Sequence, residues 1–329
     1  MQIPPDLFQA ILRLVENKNI RALKMARNET THRYKKGIDS KAVFLNEEET
    51  LSYLATRLPA TYAACFKVFQ NIQRALPQTI FRSFLDLGSG PGSATWAALE
   101  VFESLSKVHL IEREASIIEI GKELSSVRNW PDAHWEVGSL LDPETKMPHA
   151  DLAVFSYSYG ELDESKAQEL ILRMMNQKIP VIAVIEPGTP RGYEKILSLR
   201  SFVLQNGAQL VAPCPHSQKC PMAGKDWCHF AARVERSKLH KTLKDGALGY
   251  EDEKFSYLVF TTSNTLIEKI EGRVVRSPLK GKGHVKFLLC SEDGQLNQKV
   301  VTRSDKIAYK AARDLEWGDS WCKAALQAE

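Results

Sequence analysis

Phe84-Leu85-Asp86-Leu87-Gly88-Ser89-Gly90-Pro91-Gly92-Ser93-Ala94-Thr95-Trp96 is the stretch on which the fold turns. A short apolar run leads into an acidic residue. Three glycines follow at alternate positions, and Ser93-Ala94-Thr95-Trp96 opens a helix. Glycine lets the backbone turn tightly and lets a ligand approach it closely. The helix that follows offers unpaired amides and a positive dipole end to carboxylate or ribose oxygens. A glycine-rich motif carries weight in this strand–turn–helix context. Glu112, at the end of the next apolar run, stands where a ribose-binding carboxylate belongs, about 20 residues after the loop. A carboxylate there can accept both hydrogen bonds of a ribose diol.

The glycine spacing separates two cofactors. A nicotinamide fingerprint, G-x-G-x-x-G, would need glycine at the Ser93 position, and here Gly92 comes one residue early. An acidic residue followed by G-x-G-x-G is instead the pattern of S-adenosylmethionine domains. Asp86, Gly88, Ser89, Gly90, Gly92 and Glu112 are therefore the candidate cofactor residues. Ser139 and Leu140, after a third strand candidate, are placed where adenine is read in such folds. Ser156-Tyr157-Ser158-Tyr159 follows the fourth strand, where a methyl acceptor enters. No N-P-P-Y-type motif stands there and no cysteine nucleophile is evident, so no catalytic residue is assigned.

Outward from the loop, apolar runs alternate with helical segments: Phe84-Leu85, Val108 to Ile111, Leu152 to Phe155 and Val181 to Ile185, with Ala94–Leu105 and Ser116–Leu124 between them. Alternation of this kind predicts βαβ units and a parallel, doubly wound α/β sheet. Upstream, Leu7, Phe8, Ile11, Leu12 and Val15 recur at helical spacing. Asn46 is a candidate N-cap before Glu47-Glu48-Glu49, and Pro59 is expected to interrupt the helix that follows. Downstream, Phe255–Phe260 and His284–Leu289 read as strands, and residues 306–315 as a helix. The expected organisation is a helical N-terminal region (1–78), an S-adenosylmethionine-binding domain of methyltransferase type (79–210), a Cys-rich metal segment (211–250) and a β-rich C-terminal part (251–329).

Cys214-Pro215-His216, Cys220-Pro221 and Trp227-Cys228-His229 place three thiols within fifteen residues, on a Pro-rich stretch without periodicity. Such clustering, in a chain with six cysteines and no disulfide framework, points to a metal. Zinc is one candidate, although zinc ribbons favour a closer C-x2-4-C spacing. Proline directly after a cysteine resembles iron–sulfur ligation of the ferredoxin type. The residues alone leave zinc against iron–sulfur open, and leave the fourth ligand open among His216, His229 and Cys290.

The 329 residues carry a formal net charge of only +4, so bulk charge identifies no partner. Local clusters do more. Arg233, Arg236, Lys238, Lys241 and Lys244 form one basic group, and Arg273, Arg276, Lys280, Lys282 and Lys286 a second that can track phosphates. A third basic stretch, Arg27, His32, Arg33, Lys35 and Lys36, is broken by Gly37. No run reaches the ~20 apolar residues a membrane span needs, and the N-terminus lacks the pattern of a secretory signal, so a cytoplasmic chain is expected.

Three segments occur together and in this order in one known family. They are the Asp86–Trp96 loop, the Cys214–Phe230 segment and the Arg273–Cys290 segment, followed by Tyr309-x-x-Ala312-Arg313-x3-Trp317-Gly318-Asp319-x-Trp321. The chain resembles the methyltransferase-like assembly factors of the mitochondrial small ribosomal subunit, a family with bacterial members. The resemblance implies a [4Fe-4S] cluster on Cys214, Cys220, Cys228 and Cys290. It also implies binding of the small ribosomal subunit and its ribosomal RNA, with or without methyl transfer.

Overall fold

The computed structural model describes residues 1–36, 46–142 and 145–322. Four helices come first: α1 (Pro5–Val15), α2 (Ile20–Lys36), α3 (Glu47–Thr56) and α4 (Leu58–Ala75). Strands and helices then alternate as β1 (Ser83–Leu87), α5 (Ser93–Val101), β2 (Lys107–Glu112), α6 (Ala115–Ser125), β3 (Asp132–Val137), β4 (Leu152–Ser156), α7 (Glu164–Asn176), β5 (Val181–Pro187), α8 (Pro190–Gln205) and β6 (Gln209–Ala212). The remainder is β7 (Phe230–Glu235), α9 (Lys238–Lys244), β8 (Tyr250–Thr261), β9 (Gly272–Val274), β10 (Leu279–Gly281), β11 (His284–Ser291), β12 (Leu296–Thr302), α10 (Lys306–Asp314) and β13 (Ser320–Trp321).

These elements form two compact units, each assembled from non-consecutive segments. The first holds Met1–Lys67, Arg82–Pro148 and Ala232–Glu253; the second holds Val68–Phe81, His149–Ala231 and Lys254–Glu329. In the first unit β1, β2 and β3 lie parallel in the order β3-β2-β1. In the second, β4 and β5 pair in parallel, and β5, β8 and β6 continue antiparallel. The parallel strands β4 and β5 are buried almost throughout, which is why they read as unbroken apolar runs and not as alternating ones. The second unit also carries an antiparallel sheet in the order β10-β11-β9-β13, with β12 on β11. Its inner face packs Val274, Val285, Phe287, Leu289, Val301 and Trp321 against α10.

Local chemistry fixes the helix starts. The Asn46 side chain accepts from the Glu49 amide at 2.9 Å, and Asp163, Thr189, Ser237 and Asp305 cap α7, α8, α9 and α10 in the same way. Pro59 does not interrupt a helix: α3 ends at Thr56, and Pro59 falls in the first turn of α4, where its missing amide costs nothing. Residues 27–36, read in sequence only as a basic stretch, belong to α2; Gly37 lies outside the described residues. Phe255–Phe260, assigned by sequence to the C-terminal β-rich part, is instead an interior strand of the sheet that holds β4 and β5. The alternating half of β8 ends at Lys254, and every residue from Phe255 to Thr261 is buried. No described helix is long and apolar enough to cross a membrane.

Candidate functional site

The glycine loop sits between β1 and α5. Gly88, Gly90 and Gly92 all adopt left-handed conformations, with φ of 70°, 53° and 86°, so the motif's glycines are required by the backbone path. At Gly92 a Cβ would also stand 3.1 Å from the Trp130 ring. At Gly90 nothing lies within 4 Å of where a Cβ would project, which leaves the loop open to a ligand. Asp86 is fully buried. Its Oδ2 accepts from the Thr95 hydroxyl at 2.8 Å, while Oδ1 has no partner. Burial, aided by the nearby Glu112 charge, pushes its pKa up to about 7.

Glu112 closes the loop from β2. Its Oε2 accepts from the Gly90 amide at 2.9 Å, and its Oε1 accepts from the Arg113 and Glu114 amides at 2.8 and 3.1 Å. One carboxylate thus braces the turn and keeps lone pairs for further donors. Ser89 is buried, and Ser139 lies exposed beyond β3 beside buried Leu140. All eight candidate cofactor residues fall within the first unit. An orphaned buried carboxylate oxygen, an open glycine cradle and a second carboxylate 22 residues beyond Gly90 fit an adenosyl amino acid.

The fourth-strand loop lies in the second unit. Tyr157 takes a left-handed φ of 61°, and Tyr159 is buried edge-on against Phe155. Glu186, at the end of β5, is buried, accepts from the Gly160 amide at 2.8 Å, and has its pKa pushed up to about 7 by burial. Lys195 donates to the Gly160 carbonyl. Sequence reading did not single out Glu186 or Lys195.

Cys214, Cys220, Cys228 and Cys290 line one cavity of about 30 Å³ in the second unit. Three come from the loop between β6 and β7, and Cys290 comes from β11. The walls are largely apolar, with Met222, Phe230, Leu258 and Val275 among them. Burial, with the neighbouring sulfurs adding to it, pushes the Cys290 thiol up to about 12 and raises Cys228 well above its ordinary value. Four soft donors therefore face one space, in a chemistry that suits a thiophilic cation.

His216 lines the same cavity, with Nε2 3.3 Å from the Cys290 sulfur. His229 does not line it: its Nδ1 lies 3.1 Å from the Trp227 carbonyl and its ring packs against Trp227 and Trp317. The loop is held by two buried arginines. Arg200 donates to the carbonyls of His216 and Gln218 at 2.9 and 2.7 Å. Arg273 donates to those of Pro213 and Gly318 at 3.0 and 3.1 Å, and to Asn71 Oδ1 at 3.2 Å. Tyr193 adds a hydroxyl 3.3 Å from the Cys220 sulfur. Tyr193 and Arg200 sit seven residues apart on α8, on one face. That spacing was a signal the sequence held, since both are polar-tipped residues on a buried stripe.

The basic groups are reassigned. Arg273 is buried in the cysteine site, and Arg276 pairs with Asp226 and covers the Trp317 ring; a guanidinium that satisfies buried carbonyls is unavailable to phosphates. Arg236 and Lys244 both pair with Glu251, and Arg233 with Asp252. Lys280 and Lys282 stay exposed on the β10–β11 hairpin, with Lys286 half-buried beside them.

Parallel strands with an acid-then-G-x-G-x-G turn in the first unit, and parallel strands continued by antiparallel ones in the second, are features of a methyltransferase-type fold. The plantazolicin methyltransferase BpumL in complex with SAH is a structural neighbour, with a TM-score of 0.43, 11% identity and coverage of 74% of this chain and 97% of that one. A putative RNA methyltransferase from Pyrococcus horikoshii is another, with a TM-score of 0.36, 13% identity and coverage of 62% and 83%.

At the level of sequence, the profile described as "Mitochondrial small ribosomal subunit Rsm22" matches residues 47–322, and the chain belongs to the Rsm22 family. It is 26% identical to the human ribosome assembly protein METTL17, mitochondrial, over 96% of this chain and 69% of that protein. It is 25% identical to a mitochondrial Rsm22-cox11 tandem protein of Schizosaccharomyces pombe, over 84% of this chain and 43% of the relative.

Proposed function

We propose that this chain is an assembly factor that binds the ribosomal RNA of the small ribosomal subunit during maturation, holding S-adenosylmethionine in the glycine loop and a [4Fe-4S] cluster in the cysteine cavity. The observation that carries the reading is the extent of the family match: residues 47–322 take in the glycine loop, all four cavity cysteines and the basic β10–β11 hairpin. The test is co-purification. The tagged chain should recover small-subunit RNA from growing cells and enrich precursor particles over mature ones. Recovery of neither would set the reading aside.

S-adenosylmethionine supplies an electrophilic methyl group when bound. Asp86, Gly88, Gly90, Gly92 and Glu112 would hold it, with Ser139 and Leu140 at the adenine side. Such a displacement needs chiefly alignment of acceptor and sulfonium carbon.

The cluster is favoured over mononuclear zinc by the spread of the donors. Zinc at ~2.3 Å from each sulfur draws thiolates to about 3.8 Å from one another. Among the described residues, the cavity's cysteines and His216 form no set of three with ligand atoms within 4.8 Å. Cys214, Cys220, Cys228 and Cys290 would hold a polynuclear cluster, which suits thiolates that stand farther apart.

A second reading, assembly without methyl transfer, is favoured by one observation. After β4, Tyr159 packs against Phe155, and the Gly160 amide is taken up by Glu186 of β5. Comparing ribosomal RNA modifications in cells with and without the gene separates the two. A missing methyl group restored by the wild-type chain, and not by Asp86→Ala, would support catalysis.

A further inference from the structure

Outside both sites, β2 and β3 carry a polar stripe that neither uses. The parallel register sets His109 beside His134 and Ile111 beside Glu136, so alternate residues of the two strands share a face. His109 Nε2 lies 2.8 Å from Glu136 Oε2, and the two imidazole rings stand 4.6 Å apart. One donor atom from each of the three residues falls within 4.8 Å of the others. A cross-strand His–Glu hydrogen bond explains the first contact and needs no third partner. The second imidazole is the additional feature, because it turns a pair into a converging triad.

We propose that His109, His134 and Glu136 form a binding site for one divalent transition-metal ion of the zinc class. Two imidazoles and a carboxylate are a common ligand set for such an ion, with water completing the coordination. An ion about 2.1 Å from each donor sets donors about 3.4 Å apart, a separation within the span that these three already occupy. His134 is exposed, while His109 and Glu136 are half-buried, so the ion enters from solvent and keeps an open position. A bound ion would clamp β3 to β2 and stabilise the first unit by mass action.

The test is titration of the as-purified, anaerobic chain with zinc, and separately with cobalt as a spectroscopic stand-in. Exposed His134→Ala and shape-conserving Glu136→Gln are unlike His109 substitutions in leaving the strand packing alone. The expected result is a zinc ion bound per chain at this site, with affinity weakened at least ~10-fold in each variant, since loss even of an outer-shell partner costs ~10–100-fold. Cobalt at this site should show only weak visible bands, without the intense thiolate-to-metal absorption that cysteine ligation gives. Zinc affinity unchanged in both variants, no zinc binding, or a cobalt spectrum of thiolate type alone would overturn the proposal.

Discussion

At the scale of single residues, Asp86 and Cys290 carry the sharpest expectations. Asp86 is an acid whose folded pKa, about 7, stands above the ~3.9 of an unfolded aspartate. The folded chain therefore keeps a proton that the unfolded chain releases. Stability from this group is full below pH ~4, falls as pH rises toward 7, and is level above. Without S-adenosylmethionine, Asp86→Asn should remove that fall. Denaturant unfolding should show the variant gaining on wild type between pH 5 and pH 8 by up to about 2–3 kcal/mol, at 1.4 kcal/mol per pKa unit. An unchanged difference would mean Asp86 is ionised in the folded chain. Cys290→Ser should lose iron as fully as Cys214→Ser, while His216→Ala should keep it; iron analysis of anaerobic preparations decides. Sequence made Cys214, Cys220 and Cys228 visible, because thiols so close together have few other uses, whereas Cys290, distant in the chain, was singled out only by the family resemblance. It did not reveal Arg200 or Tyr193, and it read Arg273 as a phosphate-facing cation, since a long polar side chain reads as surface until the loop that it satisfies is seen folded around it.

At the scale of elements, the loops are as determined as the strands. Gly92→Ala would force a left-handed alanine and press its Cβ toward Trp130, 3.1 Å away. The expected cost is ~1–3 kcal/mol in thermal or denaturant unfolding, with weakened cofactor binding. Arg273→Met should cost about 3 kcal/mol or more, because it strands buried carbonyls of Pro213 and Gly318 without a donor. It should also reduce iron content, an outcome that a merely surface-facing arginine would not produce. Strands β1, β2, β4 and β5 were legible as apolar runs, and Asn46 as a cap, because each signal is local. Strand β8 was legible as a strand and misplaced in the fold. Its partners β5 and β6 lie far away in sequence, and no local pattern states which sheet a strand joins. Pro59 shows the same limit at short range: the break falls before it, at Arg57, and it begins a helix where it was expected to end one.

At the scale of the whole molecule, a net charge of +4 conceals an uneven distribution. Arg233, Arg236 and Lys244 are matched by Asp252 and Glu251, and Arg273 is spent inside the protein. On the proposed function, the β10–β11 hairpin, with exposed Lys280 and Lys282, is the phosphate-facing surface to test, and Lys238 and Lys241 are the remaining cations of the first basic group without an ion pair among those described. Lys280→Ala and Lys282→Ala should each weaken RNA binding without regard to sequence and should lower the slope of log affinity against log salt by about 0.7–0.9. Slopes that stay unchanged would move the RNA surface elsewhere. Sequence composition exposed the basic groups but not their partners, because ion pairing is set by tertiary contact. This chain, on the proposed function, works on the small ribosomal subunit. The most direct test of that function is to crosslink the protein to RNA in living cells and sequence what is recovered. Strong enrichment of small-subunit ribosomal RNA at discrete positions is expected, reduced by Lys280→Ala and Lys282→Ala. Recovery of large-subunit or messenger RNA in its place, or of no RNA above background, would contradict it.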